Sequence, residues 1–278
     1  MGLHAVAGAR RVRRGAAARA LAGCLTLAFA FAGASAPGAQ ALIWTGGFET
    51  GDLSQWTHQE FVPGDMTLVV APVRGGTWAA KVVVHPGDNP IAGSAGDRAE
   101  LDEYGQENTG VTSWWGWSTE FPDGFYTPPY SKWNVFAQWH PRYSTLKPNL
   151  GFTVVNWGPS GTFLQLIARG GDPSAPTERT WKLGQLVRNR WYDFVLRVDW
   201  YPDDRGSVKL WVNGILVVPR TFTPTFYASG VAEVYAKQGL YRGPFTQDST
   251  LYQDAMRRGT SYADVVAGLS LSSFGLFS

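Results

Sequence analysis

The sequence predicts an all-β domain in which two large antiparallel sheets pack face to face as a β-jelly roll. Short runs of alternating apolar and polar residues, separated by Gly, Pro, Asn and Asp, recur along the chain and are typical of strands. No apolar period of 3.6 residues continues beyond about two helical turns. The chain also shows no internal repeat and no second domain, so we expect these strands to share one sandwich.

The predicted strands occupy residues 66–71, 78–85, 98–104, 111–120, 133–140, 150–156, 163–169, 191–200, 207–212, 215–218, 232–241 and 267–277. Asn213 and Gly214 predict a tight hairpin between two of them, because both residues tolerate positive φ in a primed turn. Residues 203–206 predict another turn, and residues around 253–264 predict a short helix. So many strands in one domain indicate a concanavalin A-like sandwich, whose curved sheets leave a concave groove for a long polymer.

Residues 1–41 are predicted to be a secretory signal peptide. A basic region that includes Arg10 and Arg19 precedes an apolar run over residues 21–34, and small residues follow as far as Ala41. The apolar run is shorter than the roughly 20 residues that a membrane span needs. Residues 21–24 resemble a lipoprotein box, but most of the apolar region follows the cysteine. We therefore expect a secreted, extracellular protein whose jelly-roll domain covers residues 42–278.

Cleavage near Ala41 would remove Cys24, the only cysteine of the chain, so the mature domain is expected to fold without a disulfide. Cleavage would also remove the basic region, which would change the formal net charge of the protein from +2 to a negative value. A net negative domain does not favour a nucleic-acid partner, and no membrane association is expected after cleavage. We expect a monomer. The 13 tryptophans are typical of secreted proteins that handle carbohydrate.

Three of the predicted strands carry polar residues of unusual type on one face, since alternate side chains of a strand point the same way. These faces carry Arg98 and Glu100 on the first strand, Asn134, Gln138 and His140 on the second, and Tyr235, Lys237 and Tyr241 on the third. A solvated sheet face usually carries Lys, Glu, Thr and Ser, whereas this set suits chemistry on a substrate that bears a carboxylate. Gly239, between Lys237 and Tyr241, is expected to leave room for a ligand.

The same segments resemble the three motifs of jelly-roll polysaccharide lyases, a group that includes alginate lyases, glucuronan lyases and the heparin lyase I type. In chain order they read Arg-Ala-Glu-Leu at residues 98–101, Gln-Trp-His at 138–140 and Tyr-Ala-Lys-Gln-Gly-Leu-Tyr at 235–241. Residues 47–56 and 191–200 are similar to the heparin-lyase-I-like branch, so the resemblance covers most of the mature chain. Trp139 replaces an aliphatic residue of the alginate group, and Arg242 with Gly243 replaces its usual polar pair, which leaves the identity of the uronic polymer open.

The resemblance implies an acidic polysaccharide substrate whose 4-linked uronate is cleaved by β-elimination. The enzyme must neutralise the carboxylate, remove the C5 proton and protonate the departing O4. Arg98 suits neutralisation of the carboxylate, because its planar guanidinium group can donate two parallel hydrogen bonds to it. Gln138 would add an uncharged hydrogen-bond donor beside Arg98. His140 suits the role of base near neutral pH. Tyr241 suits that of acid, or of both acid and base in a syn elimination.

Supporting roles follow for the remaining polar residues of the three strands. Lys237 is expected to lower the pKa of the Tyr241 phenol by favouring the phenolate. Glu100 is expected to orient Arg98 or to contact the substrate. Asn134 and Tyr235 are expected to extend the substrate-binding surface.

No metal or other cofactor is required by this interpretation, because Arg98 and Gln138 can neutralise the carboxylate. No cluster of residues has the sequence spacing of a transition-metal site. Folds of this kind can hold a structural calcium ion between the Glu49 region and the C-terminal strand, which the sequence itself does not indicate.

Two other classes of protein remain as alternatives. A retaining glycoside hydrolase needs two carboxylates about 5–5.5 Å apart. Glu100 and Asp102 share a face, but Glu103 points the other way and no acid/base partner is evident. A lectin-like module would bind the polymer without chemistry. A lyase produces an unsaturated uronate that absorbs near-ultraviolet light, a hydrolase produces reducing ends without that absorbance, and a lectin produces neither.

Overall fold

The computed structural model describes residues 42–130 and 132–269. The predicted signal peptide over residues 1–41 and most of the predicted strand over residues 267–277 lie outside the described residues. Where the chain is described, no helix is long and apolar enough to cross a membrane.

The described chain folds into two antiparallel sheets, which confirms the predicted jelly roll. Their strands, and one short helix, have the following bounds: β1 Leu42–Gly46, β2 His58–Glu60, β3 Met66–Val69, β4 Ala79–Val84, β5 Asp97–Glu107, β6 Thr112–Glu120, β7 Trp133–Pro141, β8 Leu150–Asn156, β9 Thr162–Gly170, β10 Thr177–Gln185, β11 Trp191–Asp199, β12 Ser207–Val212, β13 Ile215–Phe222, β14 Val234–Arg242, β15 Ser249–Gly259 and α1 Tyr262–Val266.

One sheet runs in the order β10-β9-β8-β7-β14-β5-β2, and we call it the groove sheet. The other, the back sheet, runs in the order β13-β12-β11-β6-β15-β4-β3, with β1 paired to β15. This topology makes β7, β14 and β5 neighbours, although they lie far apart in the sequence. These are the three strands on which the sequence predicts polar faces.

The predicted helix over residues 253–264 is largely wrong, and the three described residues of the predicted strand over residues 267–277 are not in a strand. Residues 253–259 belong to β15 and not to a helix, which forms only over α1. A bulge between Asp254 and Arg257 breaks the alternation of β15, and Ala255 there has a φ of 57°. Such a break hides a strand from a period-2 pattern. Residues 267–269 close α1, with Ala267 as its C-cap, and do not begin a strand.

Three further strands were not predicted at all. β1 lies at the start of the described residues, and β2 has only three residues, too few to show an alternating pattern. β10 is a polar strand at the edge of the groove sheet, and most of its side chains are exposed. A strand with little buried apolar surface leaves a weak signal in the sequence.

The core between the sheets is built largely from aromatic side chains. Trp139 of the groove sheet contacts Trp115 and Trp117 of the back sheet, with ring centroids 5.4 and 5.5 Å apart. All three rings are buried. Each such ring buries about 150–250 Å², so this contact fixes which face of β7 is internal. Because Trp139 lies between Gln138 and His140, those two side chains point out of the core.

Gly239 on β14 is required by the close approach of β5. Its φ is 146°, and a Cβ atom there would lie 2.1 Å from the carbonyl oxygen of Ala99. Gly239 does not line the groove described below, whereas Gly151 on β8 does, and a Cβ on Gly151 would meet no atom within 4 Å. The prediction that Gly239 leaves room for a ligand is therefore wrong, because its missing Cβ points at the neighbouring backbone.

We expect Gly239→Ala to lower the free energy of unfolding by about 1–3 kcal/mol, since it adds both backbone strain and a steric clash. Gly151→Ala is the matched control on the same sheet and should leave the stability nearly unchanged. Chemical denaturation of the two variants measures the difference. Equal stability of both would contradict the clash.

Candidate active site

A groove of about 970 Å³ lies on the groove sheet. Six of the predicted site residues line it, namely Arg98, Gln138, His140, Tyr235, Lys237 and Tyr241. The strand register brings them together: on β14, Lys237 lies opposite Gln138 and Tyr235 opposite His140. Tyr241 lies opposite Arg98 of β5. An arginine, an amide, an imidazole and two phenols therefore open onto one groove.

The floor of the groove is organised around the ammonium group of Lys237. Its Nζ is hydrogen-bonded to Glu60 Oε2 and lies 3.2 Å from Glu100 Oε2 and 3.6 Å from Asp102 Oδ1. Lys237 is only 2% exposed. A buried ammonium is tolerated only when its charge is compensated, and here the carboxylates of Glu60 and Glu100 lie directly against it, with the carboxyl group of Asp102 slightly farther away.

The guanidinium group of Arg98 belongs to the same network. Its Nη1 lies 3.1 Å from Glu60 and 3.3 Å from Glu100, and its Nη2 donates to Ser94 Oγ. The guanidinium carbon lies 4.0 Å from the centroid of the Tyr241 ring, as in a cation–π contact. Arg98 is 8% exposed, so much of its hydrogen-bonding capacity is committed within the protein.

Glu100 holds three functional groups in place at once. One carboxylate oxygen accepts a hydrogen bond of 2.6 Å from Gln138 Nε2, and the other faces Arg98 and Lys237. Glu100 is 1% exposed and does not line the groove. The prediction that Glu100 contacts the substrate is therefore wrong, while the alternative, that it orients Arg98, agrees with these contacts.

His140 is arranged as a neutral imidazole. Its Nδ1 lies 2.8 Å from the Pro141 carbonyl oxygen, so the proton belongs on Nδ1 and the lone pair on Nε2. Burial lowers the pKa of His140 and the Lys237 ammonium acts in the same direction, against the Pro141 carbonyl, which raises it. A lowered pKa leaves Nε2 free to accept a proton at neutral pH.

The two phenols occupy different parts of the groove. The ring centroid of Tyr235 lies 5.9 Å from that of His140 and 5.2 Å from that of Tyr104. Tyr241 packs against Arg98 and against Trp133, whose ring centroid is 5.0 Å away. Five residues of β14 separate the two tyrosines, and the imidazole of His140 lies beside Tyr235.

The predicted effect of Lys237 on Tyr241 needs correction. The phenol beside Lys237 is Tyr235, whose ring centroid lies 5.9 Å from Nζ. Burial raises the pKa of Tyr235, and the opposing effect of Lys237 does not outweigh it. The ammonium group of Lys237 lies against the carboxylates of Glu60 and Glu100, and it does not bring the pKa of the neighbouring Tyr235 below its ordinary value.

Asn134 does not face the groove, contrary to the prediction. Asn134 is fully buried, and its Nδ2 atom donates a hydrogen bond of 2.8 Å to the carbonyl oxygen of Tyr126. A bulge at Phe136 shifts the register between Val135 and Ala137. Consequently Trp133 and Val135 line the groove at this end of β7, in the place predicted for Asn134.

Several residues of the site were missed by the sequence analysis. Glu60, which binds both Arg98 and Lys237, lies on the three-residue strand β2 and gave no strand signal. Ser94 reaches Arg98 from the loop before β5. The recurrence of Glu100 and Asp102 on one strand face was the one available signal for a buried ionic network.

Glu100 and Asp102 do not form an accessible pair of catalytic carboxylates. Asp102 is fully buried, Glu100 is nearly so, and both face the ammonium of Lys237. A retaining hydrolase needs both groups in contact with the sugar. This geometry does not favour the hydrolase alternative.

Glu49, the residue named for a possible calcium ion, and Asp254 close to it both have other partners. The carboxylate of Glu49 accepts hydrogen bonds from the peptide N–H groups of Thr77 and Trp78. Asp254 accepts from those of Arg74, Gly75 and Ala255. These carboxylates are occupied by peptide N–H groups and do not form an open oxygen cage, so the arrangement does not favour a calcium ion.

Asp102 gives the groove floor a definite pH dependence. Burial, opposed by Lys237 but helped by Glu60 and Glu100, raises the pKa of Asp102 to about 8. The folded protein therefore holds this proton more tightly than the unfolded chain. The stabilisation is fully present below the unfolded pKa, near 4, and is lost as the pH rises towards 8.

Asp102→Asn should remove that dependence. The free energy of unfolding of the variant, relative to the wild type, should rise between about pH 4 and pH 8, by up to about 1.4 kcal/mol per pH unit. Urea unfolding at a series of pH values measures it. Asp204→Asn, at an exposed turn, is the control and should follow the wild type. A parallel course of Asp102→Asn and wild type would show that Asp102 is ionised throughout.

Comparison with known proteins adds the family and the fold neighbours. A family model described as polysaccharide lyase matches residues 48–257. No curated protein matches the chain in sequence. The endo-β-1,4-glucuronan lyase of the fungus Trichoderma reesei has a similar structure, with a TM-score of 0.68 and 18% sequence identity over 81% of this chain and 98% of that chain.

Two further solved structures are more distant. A family 7 alginate lyase, A1-II′, in complex with its product is 13% identical over 72% of this chain and 85% of that one, with a TM-score of 0.52. A GH131 β-glucanase catalytic domain from Podospora anserina is 13% identical over 80% and 96%, with a TM-score of 0.54. At these identities the neighbours show the shared fold, and that fold carries more than one reaction.

The family match identifies the class of enzyme, which the shared fold alone does not. It spans well over half of the chain and includes all three polar strands of the groove. The chain therefore belongs to the polysaccharide lyase family, and it is a polysaccharide lyase.

Proposed function

We propose that this lyase is secreted and cleaves a 4-linked, uronic-acid-containing polysaccharide by β-elimination. The charge of the groove carries the proposal. Its described lining includes five cationic side chains, those of Arg98, Lys132, Lys147, Arg169 and Lys237, and one carboxylate, that of Glu60. Arg98, Arg169 and Lys237 are paired with carboxylates, whereas Lys132 and Lys147 have no carboxylate partner among the described ion pairs and leave the groove with an excess of positive charge. Such a groove attracts a polyanion along its length, and the named substrates of the neighbouring glucuronan and alginate lyases are polyuronates.

Neutralisation of the substrate carboxylate falls to Arg98 and Gln138. Both are held by Glu100, so they require no rearrangement when charge develops on the enolate-like intermediate. Arg98 shares its charge with Glu60 and Glu100. Its contribution is therefore a fixed positive charge under the uronate, and the second N–H of the Gln138 amide supplies the direct hydrogen bond.

Proton transfer falls to His140 and Tyr241. The free lone pair on Nε2 of His140 removes the C5 proton, and the Nδ1 bond to Pro141 holds the ring in that tautomer. Tyr241 protonates the leaving O4. Its position beside Arg98 places the phenol close to the group that neutralises the carboxylate. Tyr235, next to His140, is the competing phenol.

We expect His140→Ala and Tyr241→Phe each to lower kcat by roughly 10²–10⁴-fold while polymer binding persists, because each removes one proton-transfer group. Tyr235→Phe is the matched control, since it removes the other phenol of β14, and it should keep most of the activity. The assay follows new near-ultraviolet absorbance on alginate, glucuronan, heparin-type and hyaluronan-type polymers.

The outcomes of this assay separate the alternatives. Loss of activity in Tyr235→Phe together with retention in Tyr241→Phe would transfer the acid role to Tyr235. Retained activity in both His140→Ala and Tyr241→Phe would contradict the acid–base assignment. Reducing ends without the absorbance would indicate hydrolysis, and binding without either product would indicate a lectin-like module.

Export is the remaining part of the proposal. The basic region, apolar run and small residues of residues 1–41 have the order of a secretory signal peptide. We propose that the mature enzyme begins near residue 42 and acts outside the cell as a monomer. N-terminal sequencing and sizing of the protein recovered from the culture medium test both points.

A further inference from the structure

A second group of ionisable side chains lies apart from the groove. Asp65, His85 and Asp88 each offer one ligand atom, and these three atoms lie within 4.8 Å of one another. None of the three residues lines the groove. The hairpin of β3 and β4 brings them together: the Asp65 carbonyl accepts a hydrogen bond from Val83 N, and His85 follows β4 directly.

Asp65 is the unusual member of this group. It is only 3% exposed, and its Oδ2 atom is buried without a hydrogen-bond partner. A buried carboxylate oxygen without a partner is costly, and buried carboxylates are normally paired or bound to a metal. The unpartnered carboxylate lies beside the His85 and Asp88 ligand atoms.

The surrounding charges do not supply the missing cation. Asp248 lies 3.0 Å from Nδ1 of His85 and adds a third carboxylate. Asp97, within electrostatic range of Asp88, adds a fourth, and the guanidinium of Arg242 lies 3.6 Å from the Asp97 carboxylate. The Nη1 atom of Arg242 donates a hydrogen bond to the carbonyl oxygen of Gln247. Negative charge therefore exceeds positive charge around Asp65.

The other such group in the described chain differs in this respect. His58, Glu60 and Asp102 also come within 4.8 Å of one another. There the ammonium of Lys237 lies against Glu60 and Asp102 and occupies the cation position. No lysine contacts Asp65 among the described ion pairs.

We propose that Asp65, His85 and Asp88 bind a divalent transition-metal ion of the Zn²⁺ class. An imidazole nitrogen with two carboxylate oxygens suits Zn²⁺ better than Ca²⁺, which takes oxygen ligands. A tetrahedral Zn²⁺ holds its ligands roughly 3.3–3.5 Å apart. His85 and Asp88 are solvent-accessible and can rotate to close that distance, with water or Asp248 as the fourth ligand.

Such an ion fastens the segment that leads to the groove. Asp88 and His85 form a turn with reciprocal hydrogen bonds, and the Asp88 carbonyl accepts from Arg98 N at 2.7 Å. The loop that follows Asp88 carries Ser94 to the Arg98 guanidinium. The ion therefore fixes the start of this loop, at Asp88, to the β3–β4 hairpin, and the hydrogen bond from Arg98 N to the Asp88 carbonyl ties the end of the loop to the same residue.

The test uses the purified full chain, stripped with a chelator and titrated with Zn²⁺. Calorimetry should show one site per chain. Thermal unfolding should shift upward by roughly 5–10 °C at a free Zn²⁺ concentration about 100-fold above the dissociation constant. Ca²⁺ and Mg²⁺ should give neither effect at the same concentration.

Two variants test whether Asp65 and His85 bind the ion. Asp65→Asn and His85→Gln should each abolish the Zn²⁺-dependent shift, whether or not Asp65→Asn alters the stability of the metal-free protein. His58→Gln is the matched control, because it changes the histidine of the group that Lys237 occupies, and it should bind Zn²⁺ as the wild type does. Absence of saturable binding, a response to Ca²⁺ alone, or Zn²⁺ binding that survives both Asp65→Asn and His85→Gln would overturn the proposal.

Discussion

The ammonium group of Lys237, enclosed by Glu60, Glu100 and Asp102, is the contact on which the rest of the site depends. Removing one partner from a buried ionic network typically costs about 3–5 kcal/mol, since it leaves an uncompensated charge. The network joins β2, β5 and β14, so it also fixes the relative positions of three strands. A single buried cation thereby links the stability of the groove sheet to the geometry of its functional face.

The arrangement divides the site into a fixed floor and an accessible upper layer. Arg98 and Gln138 are tied to Glu100 and are nearly buried. His140, Tyr235 and Tyr241 are partly exposed and reach the space that a polymer would fill. In such a site the electrostatic environment is set before substrate binds, and little reorganisation accompanies the reaction.

The sequence was sufficient to predict the fold, and six of the residues predicted for the candidate site line one groove. Alternating residue types in β5 and β14 made both strands predictable, and with them the shared face of Arg98, Lys237 and Tyr241. Prediction failed where the alternation itself is broken. Because of the bulge at Phe136, Asn134 does not face the groove. The bulge around Ala255 interrupts the alternating pattern of β15, so the sequence predicted a helix where the structure has a central strand.

Contacts between distant strands were a second limit. The pairing of β2 with β5 brings Glu60 to Lys237, 177 positions away in the sequence, and no local pattern encodes that contact. The same is true of Asp65 and His85, whose separation in the chain concealed their proximity across the β3–β4 hairpin. Residue types could suggest chemistry, but strand pairing decided which groups meet.

The shared dependence of Arg98, Gln138 and Lys237 on one carboxylate also bears on how such an enzyme can diverge. Any replacement of Glu100 would disturb all three side chains at once. A substitution there would therefore have to be accompanied by changes in the side chains that Glu100 contacts. Trp133, Trp157 and Lys147 border the same groove from strand ends and loops, free of that linkage. New polymer preferences are therefore expected to arise by mutation along this border, while the inherited floor stays intact.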